Sequence, residues 1–247
     1  MTVPSPFAKA SGDLSPIASA KGDKSPLTYV IHRTPQPVVI DGRLDDPLWS
    51  RAPAMGQFWL PDGKSTPRHP TSAWMCWDDH YLYLAARATD PYIFSTCTKR
   101  DEPLYQQEVI EVFLDPTGKL TRYFEFEVSP GNVIWDGIVD NPELSDKKYT
   151  ANIAWNAEGL KTAVQVVGKL NDPTVRSQEW TVEMALPFAD LEIEAPAVGN
   201  VWRANVFRID RAKDGDEFTS WSPVFGAKPA FHVPTRFGYL KFAAAVP

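Results

Sequence analysis

No stretch of about ten or more residues in this chain carries a helical apolar stripe; from Leu27 onward apolar and polar residues alternate with a period of two. That period belongs to pleated strands, whose successive side chains point to opposite faces. Apolar or alternating runs cover 27–31, 38–40, 71–77, 81–89, 105–115, 122–129, 133–139, 152–155, 160–167, 179–185, 201–210, 218–221 and 237–242. Turn signals such as Asp41-Gly42, Asp78-Asp79-His80, Asp90-Pro91 and Asp115-Pro116-Thr117-Gly118 separate many of them. The helical signals are short: Phe188 to Leu191 is a short helix at most, and in Leu44-Asp45-Asp46-Pro47-Leu48-Trp49, Asp45 can cap a turn, Pro47 suits its start and Trp49 would insert into the core. The expected class is all-β, an antiparallel β-sandwich of the jelly-roll or immunoglobulin-like kind.

Composition sets the remaining bounds. The 23 prolines fit a loop-rich β protein, and the 9 Trp and 13 Phe supply a sizeable core. Residues 1–26, rich in Ser, Pro, Ala, Gly and Lys, read as a disordered arm without the apolar centre of a secretory signal; residues 27–247 read as one domain. A net charge of −6 does not attract nucleic acid or anionic membrane. No apolar run of about 18 residues exists to span a bilayer. The two cysteines, Cys76 and Cys97, form no CxxC or Cys/His cluster, which argues against structural zinc. A bridge between them is neither excluded nor indicated.

The stretch Tyr105 to Asp115 reads as one strand, with Val109, Glu111 and Phe113 on one face. On the next strand Glu125, Glu127 and Ser129 alternate with Phe124, Phe126 and Val128. Glu111, Glu125 and Glu127 therefore form either a solvated sheet face or an acidic site with Tyr105 at its rim. Glu125 and Glu127, two apart on one strand and so roughly 7 Å from each other, have a spacing compatible with glycoside hydrolysis and also common by chance. His232 and Phe231 sit on a loop ahead of the last strand and either border a ligand or pack. Arg208, on the face of Val206, either pairs with a carboxylate or contacts a ligand. The Asp-rich turns either serve the backbone or hold calcium through hard oxygens. No GxSxG, HExxH, P-loop or GxGxxG motif is present.

Taken in order, several of these pieces form a set: Val39-Ile40-Asp41-Gly42, Leu44 to Trp49, Trp77-Asp78-Asp79, Tyr81-Leu82-Tyr83 and Glu108 to Asp115. After them come Trp180 to Glu183 with Leu186-Pro187-Phe188, Trp202 to Asn205, Ser220-Trp221-Ser222, and Phe231-His232 through Phe237-Gly238. The set resembles the family 9 carbohydrate-binding modules over about residues 29–243. The resemblance implies an antiparallel β-sandwich related to the haem- and sugar-binding DOMON group, a non-catalytic role, an oligo- or polysaccharide partner, structural calcium and an extracytoplasmic or secreted location. In such modules a terminal sugar is clamped between two aromatic rings. Those positions match Tyr105 and Phe231, both Trp in the best-understood binders, and a ligand-contacting Glu matches Glu111. An Arg that grips sugar hydroxyls is Glu127 here. The expected ligand-binding set is Tyr105, Glu111, Glu127, Arg208, Phe231 and His232. Two rival readings are an enzyme using the same pocket for acid–base work on another small molecule, and a haem carrier with an axial pair drawn from Met55, Met75, Met184 or a His.

Overall fold

The computed structural model describes residues 24–213 and 215–245. Most of the proposed N-terminal arm lies outside them. Twelve strands form one continuous sheet: β1 (Thr28–Arg33), β2 (Thr71–Trp77), β3 (Tyr81–Thr89), β4 (Val109–Asp115), β5 (Arg122–Val128), β6 (Ile134–Asp140), β7 (Thr150–Asn152), β8 (Lys161–Val167), β9 (Glu179–Pro187), β10 (Val201–Asp210), β11 (Glu217–Ser220) and β12 (Gly238–Ala243). The order along the sheet is β7-β6-β5-β4-β10-β12-β1-β2-β3-β9-β8, with β11 attached to β10.

The sheet folds over on itself, because one apolar cluster is shared by its two halves. Ile110, Val112 and Leu114 of β4, Phe126 and Val128 of β5, and Ala204 and Val206 of β10 meet Ala73 and Met75 of β2, Leu82 and Leu84 of β3, and Val182 and Met184 of β9. This is the sandwich that the alternation implies, with one departure. β1 runs parallel to both β12 and β2, while the other ladders are antiparallel. Alternation within a strand says which face is apolar and nothing about the direction of its neighbour.

Smaller differences have local causes. The expected strand at 38–40 is irregular. Its exit is held by a side chain instead of a ladder: Glu183, buried in β9, accepts from the backbone N–H of Asp41 (2.9 Å) and Gly42 (2.7 Å) and from Trp49 Nε1 (2.6 Å). Gly42 adopts φ +80°, and a Cβ there would stand 2.8 Å from the Val164 carbonyl carbon. The short helix α1 (Pro47–Arg51) is capped by Asp46, not Asp45; Asp46 Oδ1 accepts from Leu48 N at 2.9 Å. Both cysteines are free thiols, Cys76 buried in β2 and Cys97 half-buried. Among the described residues no helix is long and apolar enough to cross a membrane.

β4 is buried along its whole length, on both faces. Its even-numbered residues from Ile110 face the shared core, and Val109, Glu111 and Phe113 face outward. There Phe113, Tyr123, Val139, Phe207 and Phe237 form one apolar cluster, and Leu104, Val109, Trp135 and Ile209 form another. The outer face of this half of the sheet is therefore roofed by loops, and the candidate site lies under that roof.

Candidate functional site

The register of β4, β5 and β6 builds the floor. Glu111 pairs with Glu127, Phe113 with Glu125, Glu127 with Trp135, and Glu125 with Gly137. Because residues paired across a ladder share a face, the three glutamates and Trp135 project to the same side. Gly137 leaves room for the indole, since a Cβ there would come within 3.2 Å of Trp135. The walls come from three loop segments: Asp101 to Tyr105, Asp146 to Ile153, and Pro229 to His232. Ile209, Arg211 and Phe218 complete them. Together they enclose about 600 Å³, ample for one or two saccharide units.

Tyr105 stands in a 3-10 turn (Leu104–Gln106) ahead of β4, not within the strand, and its ring is half exposed (51%). Gln107 steadies this turn by accepting from Thr96 N (2.6 Å) and donating to Thr96 Oγ1 (2.8 Å). Arg211 steadies it from the other side: Nη2 donates to the Tyr105 carbonyl (2.8 Å), Nη1 pairs with Asp216 (2.5 Å), and the guanidinium lies over Phe218. Phe231 lines the same cavity from the 229–232 loop and stacks on Phe207, with centroids 4.2 Å apart at 20°. The two rings, 126 residues apart in the chain, thus border one acid-floored cavity.

The solvated-face reading of the glutamates is overturned. Glu111, Glu125 and Glu127 are 2%, 5% and 1% exposed, and oxygen atoms of all three lie within 4.8 Å of one another. Burial first, and then the like charge of their neighbours, pushes all three carboxyls well above the ordinary 4.5. Glu125 and Glu127 hydrogen-bond each other, which requires a proton between them. Sharing that bond also leaves no room for a glycosidic linkage between the pair. Glu111 Oε1 and Glu127 Oε2 have no hydrogen-bond partner.

The sign of the resulting pH effect follows directly. A carboxyl that keeps its proton in the folded chain and loses it in the unfolded chain stabilises below the unfolded value. That contribution fades as pH rises above about 4.5. His232 acts at the other end, since burial holds its ring neutral down to about 3 and costs stability only below about 6.5. Between pH 6.5 and 9 the melting temperature should therefore fall, and a Glu125→Gln/Glu127→Gln chain should show a clearly flatter profile. Parallel profiles in a pH series of thermal melts would refute the assignment.

His232 lines the cavity but is committed to packing. Its ring stacks on Tyr149 (3.7 Å, 21°) and lies 5.0 Å from Phe113. Nδ1 shares a hydrogen bond with the Tyr123 hydroxyl (2.8 Å), and the backbone N–H donates to Asp146 (3.0 Å). A clamped imidazole held neutral at that depth is poorly placed to shuttle protons, which weakens the enzyme reading.

Arg208 stands apart from the other five expected residues. It pairs with Ile110, one position from the Phe207–Glu111 pair, so its side chain points away from the glutamates. It is 1% exposed and donates to Asp90 (3.1 Å) and to the carbonyls of Thr89 (2.9 Å) and His69 (3.1 Å), with Asp210 at 3.5 Å. Met55, Met75 and Met184 are also buried in the shared core, away from the cavity. The turn aspartates cap backbone N–H groups: Asp78 serves His80 and Tyr81, and Asp90 serves Tyr92.

Sequence reasoning missed Trp135, Tyr149, Phe218 and Arg211. Trp135 was within reach, since it alternates with Gly137 and Val139. Tyr149, Phe218 and Arg211 have no local pattern that marks them.

Comparison with known proteins adds the following. The family model described as carbohydrate family 9 binding domain-like matches residues 40–244. A protein of Arthroderma benhamiae named "Extracellular protein" is 28% identical over 200 residues, 74% of this chain and 82% of that protein. The "Exoglucanase XynX" of Acetivibrio thermocellus is 35% identical over 166 residues, 66% of this chain but only 12% of that much longer enzyme. Among solved structures, a Bacteroides uniformis protein superposes with a TM-score of 0.70 at 14% identity, covering 87% of this chain and 98% of that one. A family 9 carbohydrate binding module from Caldicellulosiruptor kristjanssonii, solved with cellotriose, gives a TM-score of 0.59 at 17% identity, covering 89% of this chain and 95% of that one.

Proposed function

From the premise that this chain belongs to the carbohydrate family 9 binding domain-like family, we propose that it is a non-catalytic carbohydrate-binding protein that grips a saccharide unit between Tyr105 and Phe231. The observation that carries this reading is that both rings border one cavity whose floor is Glu111, Glu125 and Glu127. The C–H faces of a sugar pack on aromatic faces, and its hydroxyls hydrogen-bond to carboxyl groups in a dry site. The family's Arg position is occupied by Glu127, so the polar grip here runs through acids. An extracytoplasmic place of action belongs to the same proposal and is supported by the "Extracellular protein" relative.

Titrating the full chain with neutral mono- and disaccharides, including glucose and cellobiose, and reading heat and the intrinsic tryptophan fluorescence to which the cavity-lining Trp135 contributes, should give saturable binding for at least one of them. A folded chain that binds no glycan in calorimetry or on a glycan array would end the proposal.

A further inference from the structure

The cavity gathers more carboxyl groups than a neutral sugar calls for. Five carboxyl residues line it, namely Asp101, Glu111, Glu125, Glu127 and Asp146. The lining cation is Arg211, and its guanidinium is already engaged by Asp216 and the Tyr105 carbonyl. His232 adds no charge, being held neutral by burial. On the floor, the side chains of Glu111 and Glu127 line the cavity although almost fully buried, and each keeps one oxygen without a hydrogen-bond partner. Unpaired buried carboxyls are costly, and such groups gathered in a cleft mark a place for a ligand.

Two features narrow the ligand. Three carboxyl groups with oxygens within 4.8 Å of one another offer three acceptors around one point. A protonated primary amine offers three N–H donors from one atom, whereas a hydroxyl offers one. Above that point stand the aromatic walls, Tyr105, Phe231, Tyr149 and Trp135, whose faces attract both a cation and sugar C–H groups. We infer that the site is built for an amino sugar: a saccharide unit bearing a free amine, its ammonium seated on Glu111, Glu125 and Glu127 and its ring between Tyr105 and Phe231. This rests on the carbohydrate-binding reading and names the class of sugar. A divalent ion could also use three carboxyls, but it needs six to eight hard oxygens and makes no use of the rings. Because burial and mutual repulsion favour the protonated trio, arrival of an ammonium favours release of protons to solvent.

The test is calorimetry of the full chain with three disaccharides that differ mainly at one ring substituent: β-1,4-linked glucosamine, its N-acetylated counterpart, and cellobiose. Each is run in two buffers of different ionisation heat, and calcium chloride alone is titrated in parallel. The glucosamine disaccharide should bind about tenfold tighter than either of the others, as charge-assisted hydrogen bonds warrant, and with net proton release. That margin should vanish in Glu125→Gln/Glu127→Gln and in the single variant Glu111→Gln. Equal affinity for all three sugars overturns the inference and leaves the carbohydrate reading standing. Calcium binding that tightens neutral sugars overturns it in favour of a metal site. Absence of binding by any sugar overturns both.

Discussion

An Arg208→Leu chain should melt roughly 6–20 °C below the native one, a loss of about 3–5 kcal/mol. The guanidinium is 1% exposed and sits among Asp90, Asp210 and Glu108. Glu108 is itself pushed up to about 10, by burial and then by its hydrogen bond to Asp90. Asp210 also accepts from His69 Nδ1 at 2.7 Å if that nitrogen carries the proton. Removing the cation leaves these acids facing each other with no counter-charge and orphans the carbonyls of His69 and Thr89. Solvent screening softens the loss little, because Asp90, Glu108 and Asp210 are all buried. Thermal unfolding at neutral pH is the measurement, and a shift within about 2 °C would show that the cluster rearranges without the guanidinium. Below its melting point the variant should keep its sugar affinity, because Arg208 lies on the other face of β10 from the cavity.

Tyr105→Ala should do the reverse. The ring is half exposed and is absent from both outer apolar clusters, so stability should change by no more than about 0.5 kcal/mol. Affinity for the bound saccharide should drop by about tenfold to a hundredfold, the loss expected when an aromatic anchor is truncated. Titration of native and variant chains with the same sugar, alongside their melts, reads both quantities. Unchanged affinity would remove Tyr105 from the site and with it one wall of the clamp. Phe231 is the weaker probe, because its stacking on Phe207 would mix lost binding with lost packing.

What could be read beforehand was what lies in local alternation. The faces of β4 and β5 were visible in Val109-Glu111-Phe113 and in Glu125-Glu127, and the two ring positions came from motif order. The burial of the glutamates was not visible, because it depends on loops at 101–105, 146–153 and 229–232 closing over the sheet. Arg208 shows the same limit. Its shared face with Val206 was legible, but only the non-local pairing of Arg208 with Ile110 shows which face of the sheet that is. Asp46 rather than Asp45 caps α1 because the cap must precede Pro47 directly. The run at 38–40 has strand composition, yet Glu183 captures the backbone that follows it. The cap of α1 aside, each miss is a contact between residues distant in sequence.

β1 and β12 lie side by side and point the same way, joined from Thr28–Tyr239 to His32–Ala243. A pull applied through the backbone at Leu27 and Ala244 would therefore load that seam lengthwise. Its bonds would be stressed together, as in a lap joint, not peeled open one by one.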